Sequence, residues 1–202
     1  MADVTISGLT LNTPNKDSAV IPYSDGSTTY KTSPSGIVAA SPGCVLQVQQ
    51  AVYSDQIDYN TGGSGITTWT DFPNLSVSIT PKALNSKFLL NGVAHFCMNP
   101  TTSCNFRFVR NNSPIGVGSS GAGGQASFRN SNGNSQWATC ASNIFLDNTI
   151  LTNLNPIVYK LQFHPFTGDP RQIRLNNSFY IAGNNTDGFR CISTLTVQEI
   201  AG

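Results

Sequence analysis

Apolar and small polar residues alternate along this chain with a period of two wherever a pattern can be read. The alternation is clearest in VLQVQQAV (45–52), LSVSI (75–79) and ISTLTVQEI (192–200), where one face of each strand reads as apolar, most strictly in LSVSI with Leu75, Val77 and Ile79. Such alternation marks strands with one buried face. With these included, the candidate strands fall at 44–53, 67–72, 75–80, 87–97, 104–110, 135–146, 157–163, 172–180 and 190–200, with turn signals between them. In WTDFPNLSVSITP (69–81), Pro73 and Pro81 read as punctuation, so 67–72 and 75–80 count as separate strands. No segment shows a helical repeat. Nine strands of this kind predict an all-β fold, an antiparallel β-sandwich built from two packed sheets.

The first 42 residues depart from that pattern. Pro14, Pro22, Pro34 and Pro42 interrupt short apolar patches such as VTISGL (4–9) and AVIP (19–22), and prolines at this frequency prevent a long regular element. Residues 19–31 read as a small hairpin with SDGS (24–27) as its turn. A lone hairpin is marginal in water, so this segment needs a surface to lie against. The chain therefore divides into an extended amino-terminal arm, 1–42, and a sandwich domain, 43–202. The arm's Ile6, Leu9, Val20 and Ile21 are the residues expected to bury against another protein. Gly- and Asn-rich loops are expected at 58–65, 116–124, 130–134 and 183–188.

Composition narrows the function classes. Only 10% of residues are charged, against about 25% in an ordinary soluble domain. A weakly charged surface repels its own copies poorly, which suggests that partners cover much of it. The formal net charge is +1 with no basic cluster, so there is no electrostatic footprint for nucleic acid. No run approaches the roughly 20 apolar residues of a membrane-spanning helix, and the amino terminus carries no pattern of a secretory signal. Cys44, Cys97, Cys104, Cys140 and Cys191 are odd in number and widely spaced. They suggest neither a disulfide framework nor a zinc ribbon, and fit folding in a reducing cytoplasm.

Candidate chemistry is sparse. His95 and Cys97 share a strand face, with Cys104 downstream, yet no carboxylate or second histidine stands near enough in sequence to complete a metal or nucleophile set. The expectation is a core cysteine beside a histidine, with no metal and no cofactor. The glycine-rich run 116–124 lacks the Lys-Ser/Thr that a phosphate loop requires. Asp147, Asp169, Asp187 and Glu199 are scattered. Trp69 and Trp137 suit a sugar-stacking platform, though core or subunit-interface packing is the commoner use of such large aromatics.

WTDFPNLSVSITP (69–81), followed by NSKFLL (85–90), resembles the β-rich fibre and decoration proteins of tailed bacteriophages, particularly marine and cyanobacterial ones. The resemblance continues in FRFVRNNSPIGVG (106–118), FLD (145–147), VYKLQ (158–162) and STLTVQEIAG (193–202), and covers most of residues 44–202. It implies a jelly-roll sandwich assembled as a homotrimer, without enzymatic activity. The protein would be made in the host cytoplasm and carried on the virion surface as a head fibre, capsid decoration or short tail fibre. ISGL (6–9), AVIP (19–22) and TTYK (28–31) resemble segments that anchor such domains to capsid or tail proteins. No shaft repeat separates arm from sandwich, so a short appendage is expected. The alternatives are a lectin-like module that binds a host surface glycan and, less supported, a β-sandwich hydrolase, which would need a catalytic pair the sequence does not show.

Overall fold

The computed structural model describes residues 21–24, 29–32, 42–60, 68–99, 103–119, 125–131, 138–165, 172–178 and 190–202. Among these are thirteen strands and no helix. β1 (Ile21–Ser24) and β2 (Thr29–Thr32) form an antiparallel hairpin with Ser24 opposite Thr29, where the SDGS turn predicts one.

The remaining strands form two antiparallel sheets. One contains β3 (Val45–Tyr53), β4 (Ile57–Asn60), β6 (Lys87–Asn99), β10 (Thr139–Asp147), β12 (Gln172–Leu175) and β13 (Ser193–Ile200). The other contains β5 (Thr70–Ile79), β7 (Ser103–Arg110), β8 (Ser113–Ile115), β9 (Phe128–Ser131) and β11 (Ile157–Pro165). β6 is the spine of the first sheet. β10 lies along one of its edges, and β13 and β12 share the other end to end, against Lys87–Val93 and Phe96–Asn99 respectively. β3 and β4 continue outward from β13 and β12 in the same way.

That shared edge leaves a gap in the ladder at His95, and Asn176 closes it. Its backbone N–H donates to the His95 carbonyl at 3.0 Å, and its Nδ2 donates to the carbonyls of Tyr53 and Asp55 at 2.8 and 3.1 Å. Its Oδ1 accepts from Ser193 Oγ at 2.6 Å, and Ser193 Oγ accepts the His95 N–H at 2.9 Å. Asn176 is buried, with φ of +56°, a conformation asparagine tolerates better than most residues.

The core lies where the apolar faces of the two sheets meet. Phe88, Leu90 and Phe96 of β6 and Leu195 and Val197 of β13 face Phe106, Phe108, Tyr159, Leu161 and Phe163 of the opposite sheet. Rings meet across the layer: Phe96 and Phe106 have centroids 5.2 Å apart, Phe88 and Tyr159 5.7 Å apart. Gly92 faces inward and makes room for Phe108, since a Cβ there would stand 2.8 Å from Phe108 Cε1 and 3.2 Å from its Cζ. Phe108 is itself held by Phe128 and Phe145, so its ring cannot retreat freely. Gly92→Ala is expected to destabilise the fold by about 1–3 kcal/mol through overpacking, read as a lower urea midpoint at unchanged slope.

Several strand boundaries differ from the sequence reading. Segments 67–72 and 75–80 are one strand, β5, interrupted by a bulge: Lys160 pairs with Ser76 and Gln162 with Asp71. Pro73 is tolerated because β5 is an edge strand and the bulge requires no ladder N–H there. Asn74, at φ +55°, absorbs the kink. Part of the loop expected at 58–65 is β4, whose Ile57 and Tyr59 pack against the core. β8 and β9 were not anticipated. The first follows a two-residue turn, Asn111-Asn112, with φ of +47° and +69°, the geometry of a tight hairpin. β12 stops at Leu175, where Asn176 turns the chain.

Candidate functional site

The two outer faces of the sandwich are unlike. On the six-stranded sheet, the register aligns side chains in rows across β3, β13, β6 and β10: Val48–Gln198–Leu89–Leu146, Gln50–Thr196–Asn91–Ile144 and Val52–Thr194–Val93–Ser142. Val45, Ile200 and Lys87 form the row below. Lys87 is the single charge in these four rows. Val45, Val48, Val52, Ile144 and Leu146 are large apolar residues turned to solvent, Ile144 with 63% of its surface exposed. The neutral side chains between them are Gln, Thr, Asn and Ser, which can be covered without desolvating charge.

The outer face of the five-stranded sheet carries an ordered polar chain instead. Lys160 Nζ lies 2.9 Å from Asp71 Oδ2, Gln162 Nε2 donates to Asp71 Oδ1 at 2.6 Å, and Arg107 Nε donates to Gln162 Oε1 at 2.8 Å. The Arg107 guanidinium carbon then sits 4.2 Å from the centroid of the Trp69 ring, which also meets His164 at 5.4 Å. Desolvation alone would raise the Asp71 pKa. The hydrogen bonds from Gln162 and Lys160, with the charges of Lys160 and Arg107, outweigh it and hold the carboxyl below its ordinary value.

Two buried carboxylates, Asp147 and Glu199, brace one end of the sandwich. Asp147 accepts from Tyr159 Oη at 2.7 Å and from the Thr149 N–H and hydroxyl at 3.1 and 2.6 Å, with Arg110 at 3.5 Å. Burial, reinforced by that bond and the Asp147 charge, pushes the Tyr159 phenol far up. Glu199 accepts from Gln47 Nε2, the Lys82 N–H and Ser86 Oγ, tying the 81–86 turn to β3 and β13. Each carboxylate is saturated by partners within the fold. Shallow crevices of 260 and 410 Å³ lie at this end, around Arg110 and Asn153 and around Leu84 and Thr149.

His95, Cys97 and Cys104 do not converge. Cys104 packs into the core from the second sheet, while His95 neighbours Cys140 across β10. All five cysteines are free thiols, and burial raises the Cys104 and Cys140 pKa values. Among the described residues no group of three His, Cys, Asp or Glu is placed to hold a metal ion.

Burial also holds the His95 pKa below 6.5. Between the folded and unfolded values the unfolded chain carries the extra proton, so this contribution to stability is complete above 6.5 and falls as pH drops below it. The thermal midpoint is expected to fall more between about pH 7.5 and pH 5.5 in the native chain than in His95→Gln, by scanning calorimetry.

Of the residues singled out from sequence, Trp69 lies half-buried on the outer face of the five-stranded sheet. Trp137, Ile6, Leu9 and Val20 lie outside the described residues, and Ile21 opens β1. Sequence reading missed Arg107 and His164, which reach Trp69 only through the β5–β11–β7 pairing. No protein-family model matches the chain, and no curated protein matches it in sequence.

Proposed function

We propose that this chain is a non-enzymatic structural protein of the virion surface of a tailed bacteriophage, a short homotrimeric appendage attached to capsid or tail through its amino-terminal arm. The observation that carries this reading is the contrast between the two outer faces. The six-stranded face presents exposed Val48, Val52, Ile144 and Leu146 among uncharged polar residues, a surface suited to burial against copies of itself. The five-stranded face is occupied by the Lys160–Asp71 ion pair and hydrogen bonds that favour water.

Strand order supports a jelly roll: β10, β6, β13 and β3 in one layer, β9, β7, β11 and β5 in the other. Saturation of Asp147 and Glu199 supports a role without catalysis. The arm joins the sandwich where the Gly43 N–H donates to the Ala201 carbonyl at 2.8 Å, the end opposite Trp69, so anchoring and outward-facing ends are separate. Light scattering of the purified chain at micromolar concentration tests the reading. A mass of three subunits supports it; a mass of one subunit overturns it.

A further inference from the structure

Polar groups on the outer face of the five-stranded sheet fall into two rows of opposite character. In the lower row, Asp71, Gln162 and Arg107 Nε satisfy one another, with Lys160 completing the set. The row above crosses the sheet as Trp69, His164, Asn105 and Arg129, with His164 opposite Asn105 and Asn105 opposite Arg129. There the side-chain amide of Asn105 and the two terminal nitrogens of Arg107 meet no hydrogen-bonding partner among the described residues. The His164 ring touches the Trp69 ring.

We propose that this upper row, with Arg107, is a binding site for a carboxylate-bearing saccharide. Arg107 is fixed twice, by its Nε bond to Gln162 and by its place over the indole. Its remaining donors therefore form a preorganised fork, the geometry that takes a carboxylate through two parallel bonds. Trp69 and His164 supply an aromatic edge against which a pyranose ring can pack, and Asn105 offers both a donor and an acceptor to hydroxyls. The row contains no carboxylate among the described residues, and Asp71 in the row below is already engaged by Lys160 and Gln162. A neutral sugar would leave the Arg107 fork unpaired, and that fork sets the selectivity. The site lies on the sheet face opposite the one assigned to self-association and at the end away from Gly43. It does not depend on the oligomeric state, so either assignment can fail alone.

Ligand-observed NMR on the full chain tests the proposal with two acidic probes, sialyllactose and a glucuronic-acid-terminated disaccharide, each against its neutral counterpart, and with sodium sulfate as a separate arm. At least one acidic probe is expected to bind with a dissociation constant of about 1 mM, about tenfold tighter than its neutral counterpart. Arg107→Gln is expected to weaken it about tenfold and Arg107→Lys less, while Lys87→Gln on the other sheet leaves it unchanged. Thermal midpoints of the variants show that each is folded. Binding of neither acidic probe, equal binding of the neutral sugars, full competition by sulfate at equal concentration, or retained binding in folded Arg107→Gln would each overturn the site.

Discussion

Under the proposed self-association through the six-stranded face, a lysine in place of Ile144 is expected to give single subunits. Ile144 projects from β10 between Leu146 and Ser142, in the row completed by Asn91, Thr196 and Gln50. Those neighbours offer amide and hydroxyl groups, and no carboxylate stands in any of the four rows to pair with an ammonium. Closing such a face over an unpaired charge costs several kcal/mol per site. In a symmetric assembly every copy carries the substitution, so the cost recurs at each interface. The isolated subunit should barely notice the change, because Ile144 is exposed in it, and exposed substitutions shift stability by about 0.5 kcal/mol or less. Light scattering should therefore report one subunit at micromolar concentration with a nearly unchanged far-UV spectrum. Ser78→Lys, on the exposed edge strand of the other sheet, should leave the assembled mass as it was. An assembled mass retained in Ile144→Lys would remove the six-stranded face from the interface.

The period-two alternation made the fold class and most of the long strands legible. In β5 and β13 the apolar residues predicted to face inward, Leu75, Val77, Ile79, Leu195 and Val197, do so; in β3 the expectation fails, because Val45, Val48 and Val52 stand exposed on the outer face. What alternation cannot encode is where it slips. The bulge at Pro73–Asn74 moves the buried positions from Phe72 to Leu75, three residues apart instead of two, so a continuous strand reads as two. β8 follows from Asn111-Asn112, since paired asparagines suit two consecutive positive φ angles, a signal that period-two alternation does not carry. The outer faces were less legible still. Low charge suggests a covered surface, but that the exposed apolar residues gather on one sheet follows only from the register of four strands drawn from distant parts of the chain. Arg107 stands 38 positions from Trp69 in sequence and meets it only because β11 lies between β5 and β7.

Asn176→Ala is expected to give the largest loss of stability among single substitutions in the six-stranded sheet, about 3–5 kcal/mol. The sequence gives no hint of its weight, because Asn176 is one asparagine among many and falls inside a segment that reads as strand. Its side chain satisfies the carbonyls of Tyr53 and Asp55 and the hydroxyl of Ser193, all at the seam where β12 gives way to β13. Alanine leaves these groups buried without their partner, at about 1–3 kcal/mol each where water cannot reach them. Alanine also keeps a β-carbon at φ +56° without the short polar side chain that eases asparagine into that region, a strain of about 1 kcal/mol that glycine at the same position would avoid. Asn176→Gly should therefore be less damaging than Asn176→Ala by about that amount. Ser193→Ala should cost less than either, because the Asn176 bonds to Tyr53 and Asp55 survive it. The double substitution of Asn176 and Ser193 to alanine should cost less than the sum of the singles, since the two residues share one hydrogen bond and both serve the His95 gap. Urea unfolding of the four variants measures the set. A loss below about 1 kcal/mol for Asn176→Ala would mean that water replaces the side chain at the seam, and that β12 and β13 are joined by the strand ladders of β6 alone.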